Sequence, residues 1–255
     1  MRRFFIPPNQ IGQQHAVLTH ADAHHAHTVL RLGRGDRIEI FDGTGKQYEA
    51  QIVRSDADEV HLLIVNSLPE NPDGSLELAF AQGYLKDKKM DLLIRQLTEL
   101  GAARWIPFTA RRSVALPPAA RLTNRLQRWE KISLEAVKQC KRSRPMHIEN
   151  VVSFEEALNF STAYDLKLIF YEKENLPGDW ESLQKRDPHR VFVMVGPEGG
   201  FEDHEVAAAR RAGFHTLGMG PRILRAETAA LAACTMVQMV FGDMGYIAAG
   251  GQKSP

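Results

Sequence analysis

From residue 76 onward, strand-like hydrophobic runs alternate with amphipathic helical patterns, and this alternation limits the possible folds more than any other feature. The order is a strand-like LELAFAQ, a helical KKMDLLIRQLTELG, a strand-like RWIPF and a helix predicted over about 122–140. Two further strands, DLKLIFYE and RVFVMVG, precede helices predicted over EDHEVAAARRAG and 227–241. The pattern predicts an open, mainly parallel sheet with helices on both faces, whose ligands bind at the carboxyl ends of the strands.

Residues 4 to about 65 have a different pattern of short strand-like runs separated by turns. The sequence Asp42-Gly43-Thr44-Gly45 between two alternating strands predicts a hairpin, because glycine readily adopts positive φ. These runs predict a small barrel or sandwich. Pro69, Pro72 and Gly74 break any regular element, so we predict two domains, residues 1–72 and 73–246.

Cysteine content and hydropathy exclude several classes of protein. Cys140 and Cys234 are the only cysteines, which allows neither a disulfide framework nor a four-cysteine zinc site and favours a reducing compartment. The opening MRRFFIPPNQ lacks the apolar stretch of a signal peptide, and the apolar run 229–241 is too short to span a bilayer. We therefore expect a cytoplasmic protein with no membrane insertion.

Charge is distributed unevenly along the chain. Residues 86–144 contain 15 Lys and Arg but 5 Asp and Glu, a net charge of +10, whereas the whole chain carries +1. A basic segment of this kind indicates a polyanion partner, and nucleic acid is the first candidate because Lys and Arg release counterions from phosphates. The alternative is a helix with a solvated polar face.

A glycine-rich loop, GPEGGF, begins directly after the apolar run 191–195, which is typical of a buried central strand. The glycines allow a ligand to approach the backbone closely, but their spacing matches neither the dinucleotide fingerprint nor the phosphate-binding loop. Glu198 would be exposed to whatever binds there. A purely structural corner between strand and helix is the alternative.

A second loop of this kind covers residues 216–228, TLGMGPRILRAET. Ile223 and Leu224 either cap an aromatic ring such as adenine or fill the core beneath the loop. Arg225 and Glu227 could form a local ion pair, and the small residues of the following helix suit either core packing or a subunit interface.

These two loops together resemble the SPOUT clan of methyltransferases, and within it the RsmE-type enzymes that methylate N3 of a uridine in small-subunit (16S) ribosomal RNA. The resemblance extends in the same order to RRFF, HHAHTVLRLGRGD, DGTG, KDKKMDLLIRQLTELGA and RWEKISLEAVKQCKRSRP, and it covers residues 1–243. The sequence departs from the family at Met219, which replaces the usual leucine. It also departs at Glu202, which replaces a Ser or Thr helix cap.

The resemblance implies a small PUA-like β-barrel joined to an α/β domain whose last segments form a trefoil knot. It also implies a homodimer that binds S-adenosyl-L-methionine in the knot. The cofactor-binding residues that it implies are Gly196, Glu198, Gly199, Gly200, Met219, Gly220, Ile223, Leu224, Arg225 and Thr228.

The implied chemistry is methyl transfer to a nitrogen that must first lose its proton. Arg225 is predicted to stabilise the resulting negative charge, and Glu198 is a second catalytic candidate as the base. The partner is 16S rRNA or the small ribosomal subunit, and the predicted contacts come from Arg2, Arg3, Arg111, Arg112, Lys141, Arg142 and Arg144.

Other functions remain open at this point. They are a SPOUT methyltransferase acting on a ribose 2′-hydroxyl or another base, a non-catalytic RNA-binding module, and an unrelated nucleotide-binding enzyme. A metal site at His20, His24, His25 and His27 is not expected, because no acidic or cysteine residues with ligand spacing accompany them.

Overall fold

A computed structural model of the chain describes residues 1–69, 74, 76–86, 88–174 and 179–245. The chain forms two compact units, one of Met1–Asp73 with Val137–Pro145 and the other of Gly74–Ala136 with Met146–Pro255. Of the residues that predict the domain boundary, Pro72 lies outside the described residues, as does the closing GGQKSP. The domain limits 1–72 and 73–246 stay a prediction.

The first unit is built on a five-stranded mixed sheet in the order β1-β3-β4-β5-β2. Strand β1 is parallel to β3, and the other pairs are antiparallel. Inward-facing Ile38, Ile40 and Ile52 share one apolar core with Val60 and Leu62, as the alternating pattern predicts. The strands are β1 (Arg3–Phe5), β2 (His15–Thr19), β3 (Arg37–Phe41), β4 (Gln47–Ser55) and β5 (Glu59–Leu68).

The edge strands β1 and β2 do not pair with each other among the described residues, so the predicted barrel is an incomplete one. Short helical turns join β1, β2 and β3: a 3-10 turn at Pro8–Gln10, helix α1 at His20–His24 and a π-helical turn at His25–Val29. The predicted hairpin is present between β3 and β4. There the Asp42 carboxylate accepts a 2.8 Å hydrogen bond from the Thr44 backbone N–H, and Gly43 and Gly45 have positive φ.

The second unit contains a parallel sheet in the order β12-β10-β11-β6-β7-β8, with β9 pairing to β7. Every strand pair is parallel, which confirms the open α/β sheet predicted from the alternation. The strands are β6 (Glu77–Gly83), β7 (Arg104–Thr109), β8 (His147–Ile148), β9 (Val152–Ser153), β10 (Leu166–Phe170), β11 (Arg190–Val195) and β12 (His215–Leu217).

The helices of this unit agree closely with the sequence pattern. The predicted helix over 122–140 begins three residues earlier, and the last four residues of that helix belong to the first unit. The glycine after the KMDLLIRQLTE helix has φ of +89°, as expected where a helix ends. The helices are α2 (Lys89–Glu99), α3 (Ala119–Cys140), α4 (Phe154–Phe160), α5 (Trp180–Gln184), α6 (Asp203–Arg211) and α7 (Ala226–Phe241), with a 3-10 turn at Ser161–Ala163.

Two apolar layers cover the two faces of the parallel sheet. Val191 and Val193 of β11 point into a layer that contains residues of α2, α3 and α7, whereas Phe192 and Met194 point into a layer with α4 and α6. Successive side chains of a strand point to opposite faces, so a run that is apolar throughout suits a central strand covered on both sides. This packing fixes β11 and the loop that follows it.

The N-cap residue of helix α6 is Glu202 rather than a Ser or Thr. Glu205 supplies part of the missing cap, because its Oε2 accepts a 2.8 Å hydrogen bond from the backbone N–H of Glu202. The other oxygen of this buried carboxylate accepts 2.9 Å from the backbone N–H of Arg111. Glu205 therefore connects the start of α6 to the segment that follows β7.

Candidate active site

A cavity of about 500 Å³ opens at the carboxyl edge of the parallel sheet. Its walls come from the segments that follow β10, β11 and β12, together with the first residue of α2. This is where an open α/β sheet is expected to bind its ligands, and the volume lies within the range typical of small-molecule sites. The two glycine-containing loops predicted from the sequence therefore enclose one space.

The first wall is GPEGGF, whose Gly196, Glu198, Gly199 and Gly200 all line the cavity. Gly200 has φ of +69°, and a Cβ there would lie 2.5 Å from Glu172 Oε1. Positive φ and crowding both favour glycine at this position.

The segment that follows β7 packs against this loop so closely that it also favours glycine at position 199. A Cβ at Gly199 would lie 2.7 Å from the Cβ of Arg112, whose guanidinium donates a 3.3 Å hydrogen bond to the Gly199 carbonyl oxygen. The loop is therefore closely packed on one side and open to the cavity on the other.

Glu198 is held by two donors that the sequence did not single out. Its Oε1 accepts 3.2 Å hydrogen bonds from the backbone N–H of Lys86 and from the Lys89 ammonium. The Lys89 Nζ also lies 3.2 Å from Glu227 Oε2. Glu227 is thus paired with Lys89 rather than with Arg225, so the local ion pair considered from the sequence is not formed.

The ionisation of this cluster follows from its contacts. The hydrogen bond to Glu198 raises the pKa of Lys89 above its usual value, although burial acts in the opposite direction. Burial alone would raise the pKa of Glu227, but its own backbone N–H, the Lys89 ammonium and the Arg225 charge together lower it. Lys89 and Glu227 therefore both stay charged at neutral pH.

The second wall contains Met219, Gly220, Ile223, Leu224 and Arg225, all of which line the cavity. Ile223 is 86% exposed, so it does not fill the core beneath the loop. A side chain of this kind at a cavity mouth is available to cover a flat apolar ligand.

Arg225 lies at the junction of this wall with α7, where it is the N-cap residue. Its backbone carbonyl oxygen accepts a 2.8 Å hydrogen bond from the Ala229 N–H. Its side chain is exposed, lines the cavity and forms no direct ion pair among the residues that the structure describes, although its charge acts on the neighbouring Glu227.

Residues after β10 complete the cavity. Tyr171 lines it, and its hydroxyl donates a 2.5 Å hydrogen bond to Asp203 Oδ1, which also pairs with Lys173 at 2.9 Å. Burial, followed by the Asp203 carboxylate, raises the pKa of Tyr171. The hydrogen bonds from Tyr171 and Lys173 in turn lower the pKa of Asp203. The Tyr171 phenol is therefore neutral and its hydroxyl is engaged with α6.

Several residues that line the cavity were not predicted as site residues, among them Lys89, Phe170, Glu172 and Arg222. Lys89 lies in the KDKKMD motif, in the segment that follows a buried strand, and this position was the available signal. Thr228, which was predicted to bind the cofactor, is exposed in the first turn of α7 and is not among the lining residues.

In the first unit, the predicted RNA-binding residues differ in their surroundings. Arg2 and Lys141 are exposed, and Arg142 is half-buried. Arg144 donates a 2.8 Å hydrogen bond to the Thr44 carbonyl oxygen and so lies on the hairpin turn.

Arg3 does not fit the RNA-binding prediction, because its side chain is only 5% exposed. It pairs with Glu39 at 2.9 Å, donates to Gln47 Oε1 at 2.7 Å and stacks over the Phe41 ring at 4.4 Å. Sequence position alone could not distinguish this buried arginine from its exposed neighbour.

In the second unit, Arg111 and Arg112 are exposed after β7. Arg112 lies 3.7 Å from Glu202 and contacts Gly199, so it borders the first wall of the cavity. Within the described ranges, no helix is long and apolar enough to cross a membrane, and no three His, Cys, Asp or Glu residues are grouped as a metal site would need.

Comparison with known families assigns both parts of the chain. Residues 72–238 match the family described as RNA methyltransferase domain, and residues 18–65 match the RNA methyltransferase PUA domain. The first match covers well over half of the 255 residues, and it contains both walls of the cavity.

Individual relatives are similar over nearly their whole length. Ribosomal RNA small subunit methyltransferase E of Bacillus subtilis is 30% identical over 247 residues, covering 93% of this chain and 96% of the relative. The enzyme of that name from Neisseria gonorrhoeae, solved bound to S-adenosyl methionine, is 30% identical with a TM-score of 0.84 and covers 95% and 98% of the two chains. A putative methyltransferase from Legionella pneumophila, solved with bound SAM, is 28% identical with a TM-score of 0.84, covering 94% and 98%.

Proposed function

The chain belongs to the RNA methyltransferase family with an N-terminal PUA domain, and we propose that it transfers a methyl group from S-adenosyl-L-methionine to N3 of a uridine in 16S rRNA. The observation that carries the proposal is the cavity enclosed by GPEGGF and GPRILRAET in a chain similar, end to end, to small-subunit rRNA methyltransferases. The cofactor assignment is supported by two similar proteins solved with it bound.

The lining residues fit this cofactor. Apolar Val195, Met219 and Leu224 offer walls for an adenine ring, and the Glu172 carboxylate offers an acceptor for hydroxyl or ammonium groups. Gly196, Gly199 and Gly200 keep side chains out of the space beside the backbone. When bound, S-adenosylmethionine supplies a methyl group on a positively charged sulfur.

Arg225 is the residue that we assign to charge stabilisation in the reaction. Uracil N3 carries a proton at neutral pH, and its loss leaves negative charge spread over the ring. An arginine at the cavity that forms no direct ion pair can stabilise that charge, because a positive group already positioned beside the base needs little rearrangement during the reaction. Lys89, which faces two carboxylates, is less suited to this role.

Glu198 is a weaker candidate for the base than its position suggests. A general base must be free to reach the proton that it removes. Glu198 Oε1 instead accepts hydrogen bonds from the Lys89 ammonium and from the backbone N–H of Lys86. We assign it to holding the first wall in place.

The remaining parts of the proposal concern partners and assembly. We assign RNA contact to Arg2, Arg111, Arg112, Lys141, Arg142 and Arg144. We also propose that the chain forms a homodimer in solution and that it acts in the cytoplasm, where ribosomes are modified. The trefoil knot stays a prediction from the family resemblance.

A direct test incubates the purified chain and methyl-labelled S-adenosylmethionine with small ribosomal subunits or naked 16S rRNA from cells lacking this protein. We expect label in N3-methyluridine at one position. Label in a ribose 2′-O-methyl nucleotide would instead favour the other SPOUT chemistry. Cofactor binding by calorimetry without any transfer to either RNA substrate would favour a non-catalytic module.

A further inference from the structure

Three charged side chains from three separate segments meet at the edge of the cavity. Lys89 Nζ lies 3.2 Å from Glu198 Oε1 and 3.2 Å from Glu227 Oε2. Their side chains are 37%, 29% and 20% exposed, respectively, so the cluster is partly shielded from water. One ammonium therefore serves two carboxylates.

The three residues of this cluster come from segments that are distant in the sequence. Glu198 belongs to the first wall, Glu227 follows the second wall in the first turn of α7, and Lys89 begins α2 after β6. Lys89 and Glu198 are 109 residues apart in the chain. The two carboxylates would repel each other at the edge of the cavity if no positive charge stood between them.

The surroundings of Lys89 separate its role from that of Arg225. Both line the cavity, but the lysine lies 3.2 Å from each of two carboxylates, whereas the arginine forms no direct ion pair among the described residues. A neutralised ammonium has little charge left to offer a reacting base. It is well placed, however, to determine the distance between the carboxylates.

We propose that Lys89 is a positioning residue, which pairs with one carboxylate beside each wall and thereby fixes the width of the cofactor cavity. The inference rests on the proposed function for the identity of the ligand. It requires that Lys89 control cofactor affinity and leave the methyl-transfer step at saturating cofactor largely unchanged.

The test measures the affinity of the purified full-length chain for S-adenosylhomocysteine by calorimetry. The variants are Lys89→Met, Lys89→Arg, Glu227→Gln and the double variant Lys89→Met with Glu227→Gln. Lys185→Met is the matched control, because it makes the same substitution and also breaks an ion pair, the exposed one with Glu181 outside the cavity. Urea unfolding of each variant shows whether it is folded.

We expect Lys89→Met to weaken binding about tenfold, as the loss of two partly shielded ion pairs implies, and Lys89→Arg to restore most of it. Glu227→Gln should cost about threefold, and the double variant should bind no more weakly than Lys89→Met. In assays with RNA, KM for the cofactor should rise while the single-turnover rate at saturation changes less than twofold.

Two failures are distinguishable. If the wild-type chain binds neither S-adenosylmethionine nor S-adenosylhomocysteine, the proposed function itself fails. If the wild type binds but Lys89→Met binds equally well, or loses transfer rate at saturation as Arg225→Ala is expected to, Lys89 is not a positioning residue. If the losses of cofactor affinity in Lys89→Met and Glu227→Gln add fully in the double variant, the two residues do not act as a pair. If Lys89→Met does not fold, Lys89→Arg is used in its place to test whether Lys89 controls cofactor affinity.

Discussion

Gln82 Nε2 donates a 2.9 Å hydrogen bond to the carbonyl oxygen of Gly196, joining the end of β6 to the first residue of the GPEGGF loop. Gln82 is fully buried, and a Cβ on the adjacent Gly83 would lie 2.4 Å from the Pro197 nitrogen. The start of the first wall of the cavity therefore packs directly against the neighbouring strand β6. The sheet holds this wall in position before any ligand arrives.

Replacing this donor should loosen the wall. We expect Gln82→Met to lower the free energy of unfolding by about 1 kcal/mol, because it leaves a buried carbonyl oxygen without its donor. Cofactor binding should weaken several-fold in the same variant, as urea unfolding and calorimetry can measure. Gln127→Met on the exposed face of α3 is the control. Unchanged stability and affinity would show that the hydrogen bond does not position the loop.

Gly200→Ala tests the backbone of the first wall. At φ of +69° an alanine is strained, and its Cβ would crowd Glu172, so we expect a loss of about 1–2 kcal/mol and weaker cofactor binding. Adding Glu172→Ala removes the crowding but not the strain, and so should restore only part of the lost stability, which is the quantity compared here because Glu172 itself lines the cavity. Gly33→Ala, where a Cβ meets nothing within 4 Å, should be nearly neutral. Equal effects of the two glycine substitutions would contradict this reasoning.

Arg225→Ala should reduce the single-turnover methyl-transfer rate at least tenfold, with a smaller effect on the dissociation constant of the cofactor. The reason is that its positive charge is assigned to the deprotonated uracil rather than to the cofactor. Arg225→Lys keeps the charge and should retain part of the rate. An alanine variant with the wild-type single-turnover rate would remove Arg225 from the mechanism.

Arg2 and Arg3 are adjacent in sequence but should respond differently to substitution. Arg3→Met breaks a buried ion pair with Glu39 and should cost about 3 kcal/mol of stability. Arg2→Met should leave stability unchanged and make RNA binding weaker and less dependent on salt, as filter binding across salt concentrations can measure. The RNA affinity of the wild-type chain should itself fall steeply with salt. A flat response would rule out electrostatic RNA contact.

The parallel α/β sheet followed from the alternation of strand and helix patterns, and the first cavity wall followed from glycines placed directly after a buried strand, whereas the order of the strands did not follow from the sequence. The burial of individual charged side chains could not be predicted from the sequence. Arg2 and Arg3 have the same chemistry, and only the fold shows that the side chain of Arg3 is buried and that of Arg2 is exposed. The Lys89 cluster was also missed. Its members come from distant segments that only the order of the strands brings together.

The assignment of the basic segment was only partly informative. Its net charge indicated a polyanion partner, but several of its members serve the protein itself. Arg112 packs on Gly199, and Lys138 pairs with Asp22 at 3.1 Å within the first unit. Charge counts do not reveal such contacts, because an ion pair depends on which carboxylate the fold brings near.

Nucleoside mass mapping of 16S rRNA from cells with and without this protein tests the proposed methylation directly. We expect one N3-methyluridine to be lost when the protein is absent and to return when the full chain is expressed again. Retention of every N3-methyluridine, or loss of a ribose-methylated nucleotide in its place, would contradict it.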